Sequence, residues 1–191
     1  MDYALTIAPM VEPVTLAELK AHCVVSHSED DTTLTVMGRA ARRYLEEITG
    51  RSFITQTWQA YADKFPCGDQ PIKLDRGRLQ SVASVTYVDA DGITQTMDPS
   101  VYQVVDGDYG YLCPAYGQSW PDTRSVPRAL TVIFKAGYGD AADTVPEDLA
   151  HAIKLTVGHF YEQRETEVVG TIVSDLPTVG MLVDIYRLWP A

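Results

Sequence analysis

Residues 44–58, YLEEITGRSFITQTW, decide the fold, because the hydrophobic pattern changes period inside them. Upstream, Leu34, Met37, Ala41, Tyr44, Leu45 and Ile48 recur at steps of three and four, which predicts one helix from about Asp31 to Thr49 with these residues on its buried face. Gly50 then supplies a left-handed cap. Downstream, 53–65 is rich in threonine, aromatic and β-branched residues in rough alternation and stops at Pro66-Cys67-Gly68-Asp69, as a strand does.

The chain before this switch opens on an extended arm punctuated by Pro9 and Pro13. Thr15 and Glu18 then form a capping box that starts a short helix from Leu16 to about Cys23. The polar run 26–31 connects it to the long helix. After the switch, short strands are predicted at 72–74, 82–88, 93–97, 101–105, 111–113 and 129–136. Turn signals separate them: Asp75-Arg76-Gly77, Asp89-Ala90-Asp91-Gly92, Asp98-Pro99-Ser100 and Asp106-Gly107-Asp108.

Helical periodicity returns at 145–165, VPEDLAHAIKLTVGHFYEQRE. Pro146 suits a first helical turn, Glu147 and Asp148 complement the positive helix end, and Leu149, Ala152, Ile153, Val157, Phe160 and Tyr161 form the apolar stripe. Residues 166–174 read as an apolar loop. Asp175 caps a last helix with Pro177 in its first turn and Val179, Leu182, Val183 and Tyr186 as its stripe, and Leu188, Trp189 and Pro190 follow as an apolar tail.

This pattern predicts an α+β protein: a helical bundle built from the N- and C-terminal segments, with a central β-rich insertion. The expected divisions are 1–51, 52–140 and 141–191, the last packing with the first as one domain.

Composition narrows the function. The net charge is -11, from 26 acidic and 15 basic residues, which opposes a protein built to grip nucleic acid. Between 137 and 184 nine acids face two bases, Lys154 and Arg164. A basic patch at Arg39, Arg42, Arg43 and Arg51 is the opposing reading, but Glu46 and Glu47 stand four residues from Arg42 and Arg43 and pair with them. Three widely spaced cysteines, 23, 67 and 113, without a CxxC, suit a reduced, intracellular chain, and no signal peptide or membrane span is expected.

No motif announces catalysis, a cofactor or a metal. His151 and His159 are eight apart rather than four, so a zinc pair is not expected on that helix. The residues a small hydrolase would draw on are Asp89 with Asp91, or His22 with His27. The aspartates fit hairpin turns, and the acids around His27 fit helix caps.

Seven segments in order carry a resemblance: VTLAELKAH (14–22), YLEEITGRSFITQTW (44–58), LQSVASVTYVDADG (79–92), PAYGQSWP (114–121), AGYGD (136–140), VPEDLAHAI (145–153) and HFYEQRE (159–165), with a terminal YRLW (186–189). The chain resembles the head-tail connector, or adaptor, proteins of tailed double-stranded DNA phages, prophages and gene transfer agents. The resemblance implies a structural, non-enzymatic virion neck protein, assembled in the bacterial cytoplasm. Its copies, about a dozen, would form a ring under the portal protein, bind a stopper or tail-completion protein on the other side, and let DNA pass without specific binding. A stopper or tail-terminus protein of the same neck is the alternative. Tyr186, Leu188 and Trp189 are expected to contact the portal. Glu147, Asp148, Glu162 and Glu165 are expected on a subunit or channel face, where they would repel DNA phosphates.

Overall fold

The computed structural model describes residues 1–163 and 177–189. Its helices are α1 (Leu16–His22), α2 (Asp31–Thr49), α3 (Glu147–Glu162) and α4 (Pro177–Val183). Its strands are β1 (Asp2–Ile7), β2 (Gln56–Ala62), β3 (Ile72–Leu74), β4 (Leu79–Val88), β5 (Thr94–Thr96), β6 (Tyr102–Val105), β7 (Gly110–Pro114) and β8 (Leu130–Ala136).

The chain forms two compact units. One holds Met1–Pro9 and Thr55–Tyr138; the other holds Met10–Ile54 and the described residues from Gly139 onward.

The first unit contains all the strands found among the described residues. One sheet runs β1-β2-β8-β4-β5 and the other β3-β7-β6, and every pairing is antiparallel. β8 shows why these residues make a sheet. Leu130, Val132, Phe134 and Ala136 are buried at every second position, between residues that are partly or fully exposed. They share one core with Trp58 and Ala60 from β2, Ile72 and Leu74 from β3, and Leu112 from β7. Gly110 keeps β7 close to β4, since a β-carbon there would lie 2.6 Å from that of Leu79.

The second unit is helical. Leu34, Gly38, Ala41, Leu45 and Thr49 make the buried seam of α2, and Leu149, Ala152, Ile153, Thr156 and Val157 that of α3. Gly38 lets α1 approach closely, because a β-carbon there would meet the Leu19 side chain at 2.9 Å. Tyr44, expected in the α2 seam, is exposed. The stripe rotates past it, because Gly38 and Thr49 occupy seam positions that a reading of large apolar residues passes over.

The expectation of a helical bundle carrying a β-rich insertion does not hold. The α+β class stands, but among the described residues four helices accompany eight strands in two antiparallel sheets, and strands dominate the core. The reason is that the two sheets bury an apolar core of their own, as any sheet with an apolar face must. The first segment also belongs partly to them: the arm read as merely extended is β1, pairing with β2 from Asp2↔Tyr61 to Ile7↔Thr57.

Candidate interaction surfaces

At the end of α2 the chain turns through Gly50, at φ 69°, and the turn receives the C-terminal segment. The Leu188 amide donates to the Thr49 carbonyl at 2.8 Å, and the buried Arg51 guanidinium donates to the Tyr186 carbonyl. The Tyr186 hydroxyl donates to the Asp148 carboxylate at 3.2 Å, tying the same segment to the start of α3. Val179 and Val183 of α4 are buried, whereas Met181, Ile185 and Trp189 are 78%, 74% and 64% exposed. Of the residues expected to meet a partner, Tyr186 and Leu188 are therefore engaged within the unit, and Trp189 faces outward. The Arg187 guanidinium lies 5.5 Å from the Trp189 ring.

The expected acidic face is split. Glu147 and Asp148 sit in the first turn of α3 and Glu162 at its last residue, roughly 20 Å along the axis at 1.5 Å per residue. All three are exposed. Glu165 lies outside the described residues, as do the loop read at 166–174 and the Asp175 cap.

Three of the four arginines of the alternative DNA patch have partners within the fold. Arg42 reaches Glu12 and Glu46 at 2.7 Å each, Arg39 lies 3.9 Å from Glu12, and Arg51 holds Tyr186. Glu46, only 8% exposed, also accepts from the Phe53 amide at 2.8 Å. One ion-paired cluster thus joins the segment before α1, the helix α2 and the residues that follow it.

Of the groups a hydrolase would use, Asp89 has a clear structural task. The Asp89 carboxylate accepts from the amides of Asp91 and Ile93 and from the Gln95 side chain, which closes the β4–β5 hairpin and holds its pKa below the usual aspartate value. His27 lies 2.9 Å from Glu29, while Asp30 accepts the Tyr161 hydroxyl at 2.6 Å rather than capping α2 with its side chain. His22 stands edge-on to His151 with ring centres 6.4 Å apart. Burial, then the charges of His151 and Lys154, lower its pKa. Among the described residues no group of three or more His, Cys, Asp or Glu could hold a metal ion, and no helix is long and apolar enough to cross a membrane.

Charge is unequally divided. By sequence, the helical unit carries 16 acidic and 8 basic residues, net -8, and the β unit 10 and 7, net -3. Net charge thus disfavours adhesion of DNA to the helical unit as a whole.

This chain shares its fold with a chain of a virion neck. It superposes on a chain in the neck of an empty gene transfer agent particle computed with C6 symmetry, with a TM-score of 0.83 and 22% identity, over 100% of this chain and 97% of that one. A chain in the virion of a native gene transfer agent gives 0.81, 22%, and the same coverage. A chain in the neck of a native particle computed with C12 symmetry gives 0.76 and 22%, over 98% and 97%. No family model matches the chain, and no curated protein is significantly similar to it. Sequence reasoning missed Met181 and Ile185 as surface residues. The signal was there for Met181, which stands two residues from both Val179 and Val183 and so on the opposite side of α4.

Proposed function

We propose that this protein is a structural component of the neck of a tailed phage-like particle, joining capsid to tail. The observation that carries the reading is the likeness of fold along the whole chain to neck chains of gene transfer agent particles, with hardly a residue of either chain left over. The seven ordered sequence segments point the same way. The fold likeness to necks computed with C6 and C12 symmetry supports assembly into a ring.

Within the neck, we favour the adaptor role over the stopper role on the motif resemblance, which carries with it a ring of about a dozen copies. The portal protein is its partner on the capsid side and a stopper or tail-completion protein on the other. The negative helical unit suits a wall past which DNA moves without adhering. No catalytic step is proposed. Particles assembled without the protein should accumulate as tail-less heads, and normal tailed particles in its absence would refute the reading.

A further inference from the structure

At the edge of the helical unit's core, α1 and α3 meet along two short lines of polar residues. On α1 these are Glu18 and His22, four positions apart and so on one side of the helix. On α3 they are His151 and Lys154, followed along the same line by Gly158. The glycine makes a notch: a β-carbon there would stand 3.3 Å from Nε2 of His22, so the imidazole lies against α3 itself. Its ring is edge-on to that of His151, with centres 6.4 Å apart, and the Lys154 ammonium lies 3.9 Å from Glu18.

Charge at this seam depends on pH. With both imidazoles neutral, Lys154 is the cation that faces the Glu18 carboxylate. With both protonated, His22, His151 and Lys154 all face it, and Glu18 is already bound by the Thr15 hydroxyl and amide. The other charged groups around α1 do not offset the change. Lys20 and Asp31 of α2 neutralise each other at 2.6 Å, and Asp30, in the connection to α2, accepts from Tyr161. On α3, Glu162 acts on Cys23, His159 is off the line against Phe160, and Glu147, one turn before His151, is farther from His22 along the axis than His151 is.

His22 shows which effect wins. The C-terminal end of α1 favours a cation in its last turn, yet burial and the charges of His151 and Lys154 hold the His22 pKa below the ordinary histidine value. A value depressed in the folded state means stability that is complete above the unfolded pKa of about 6.5 and lost as pH falls through the folded one.

We infer that His22 and His151 make the α1–α3 contact an acid-sensitive switch: their joint protonation loosens the last turn of α1 from α3 in mildly acid solution, while Leu19, packed at Gly38, keeps the helix on α2. The switch belongs to the helical unit and does not depend on the neck reading.

The test unfolds the full chain in urea between about pH 8 and pH 5, as the parent and as His22→Gln, His151→Gln and the double variant. The parent midpoint should fall below about pH 6.5, and each single substitution should remove about half of that fall or more. The double variant should recover no more than His22→Gln alone, because both changes end the same repulsion. In parallel, nuclear magnetic resonance titrates the His22 ring. Its pKa should rise in His151→Gln, and should rise in the parent when about 0.5 M sodium chloride screens the seam. A smaller recovery in the single variants, or a His22 titration indifferent to both His151 and salt, overturns the inference. The salt titration uses the parent alone, so it decides the question where a variant does not fold.

Discussion

Arg51 donates a hydrogen bond from its guanidinium to the carbonyl of Tyr186, 135 positions away in sequence, and so fixes the C-terminal segment to the turn that ends α2. The arginine is only 6% exposed, so its charge is stabilised by protein acceptors rather than by water. A residue that looks in sequence like part of a DNA patch instead anchors the C-terminal segment to the end of α2.

Arg51→Ala should lower unfolding stability by about 2 kcal/mol, the scale of a lost charge-assisted hydrogen bond in a buried setting. Denaturant titration measures it, and limited proteolysis should cut the variant in 184–189 much faster than the parent. Unchanged stability together with unchanged proteolysis would show that the segment is held by other means.

Arg42→Met should cost more. It leaves Glu46 and Glu12 without their shared cation, and the loss from breaking a buried pair is about 3–5 kcal/mol; the 30% side-chain exposure of Glu12 places the expected value at the lower end. The double variant Arg42→Met, Glu46→Gln should recover part of that loss, because the stranded charge is gone. Equal unfolding midpoints for the single and double variants would contradict this account of the cluster.

Acidification should destabilise the start of α1. Glu18 accepts from the Thr15 hydroxyl at 2.7 Å and the Thr15 amide at 2.9 Å, and these bonds hold its pKa below the ordinary glutamate value. A carboxylate depressed in the folded state contributes stability above its unfolded pKa of about 4.3 and loses it as pH falls through the folded value. Glu18→Gln should flatten the fall in melting temperature below about pH 4.3, and an unchanged slope would rule the capping box out as its source.

Much of the fold could be read from these residues. The Thr15/Glu18 capping box, the Gly50 cap, the Asp89–Gly92 turn and the alternation of β8 all act through near neighbours, so sequence displays them. β1 was hidden because its partner lies fifty or more residues away and its own pattern, between Pro9 and an exposed edge, is weak. The short strands are legible one by one, but the core that the two sheets bury is not, because its residues are scattered between 58 and 136. The interaction surface was half legible. An apolar end was visible, but Tyr186 and Leu188 turn inward because Thr49, Arg51 and Asp148 offer them partners that only the folded chain brings near.

The purified protein should not retain duplex DNA at 0.15 M salt in a filter-binding titration. With a net charge of -11, and Arg42 and Arg51 committed to internal contacts, few cations are left to release counterions from phosphate. Tight binding that weakens steeply with added salt would contradict the proposed DNA passage.

The most direct test of the neck assignment is the mass of the protein in solution, alone and mixed with its cognate portal protein, followed by mass photometry and negative-stain imaging. The account predicts a discrete complex in which the portal ring gains about a dozen copies of this chain as a second, coaxial ring. A protein that stays monomeric and adds no mass to the portal or to the tail-side proteins would contradict it.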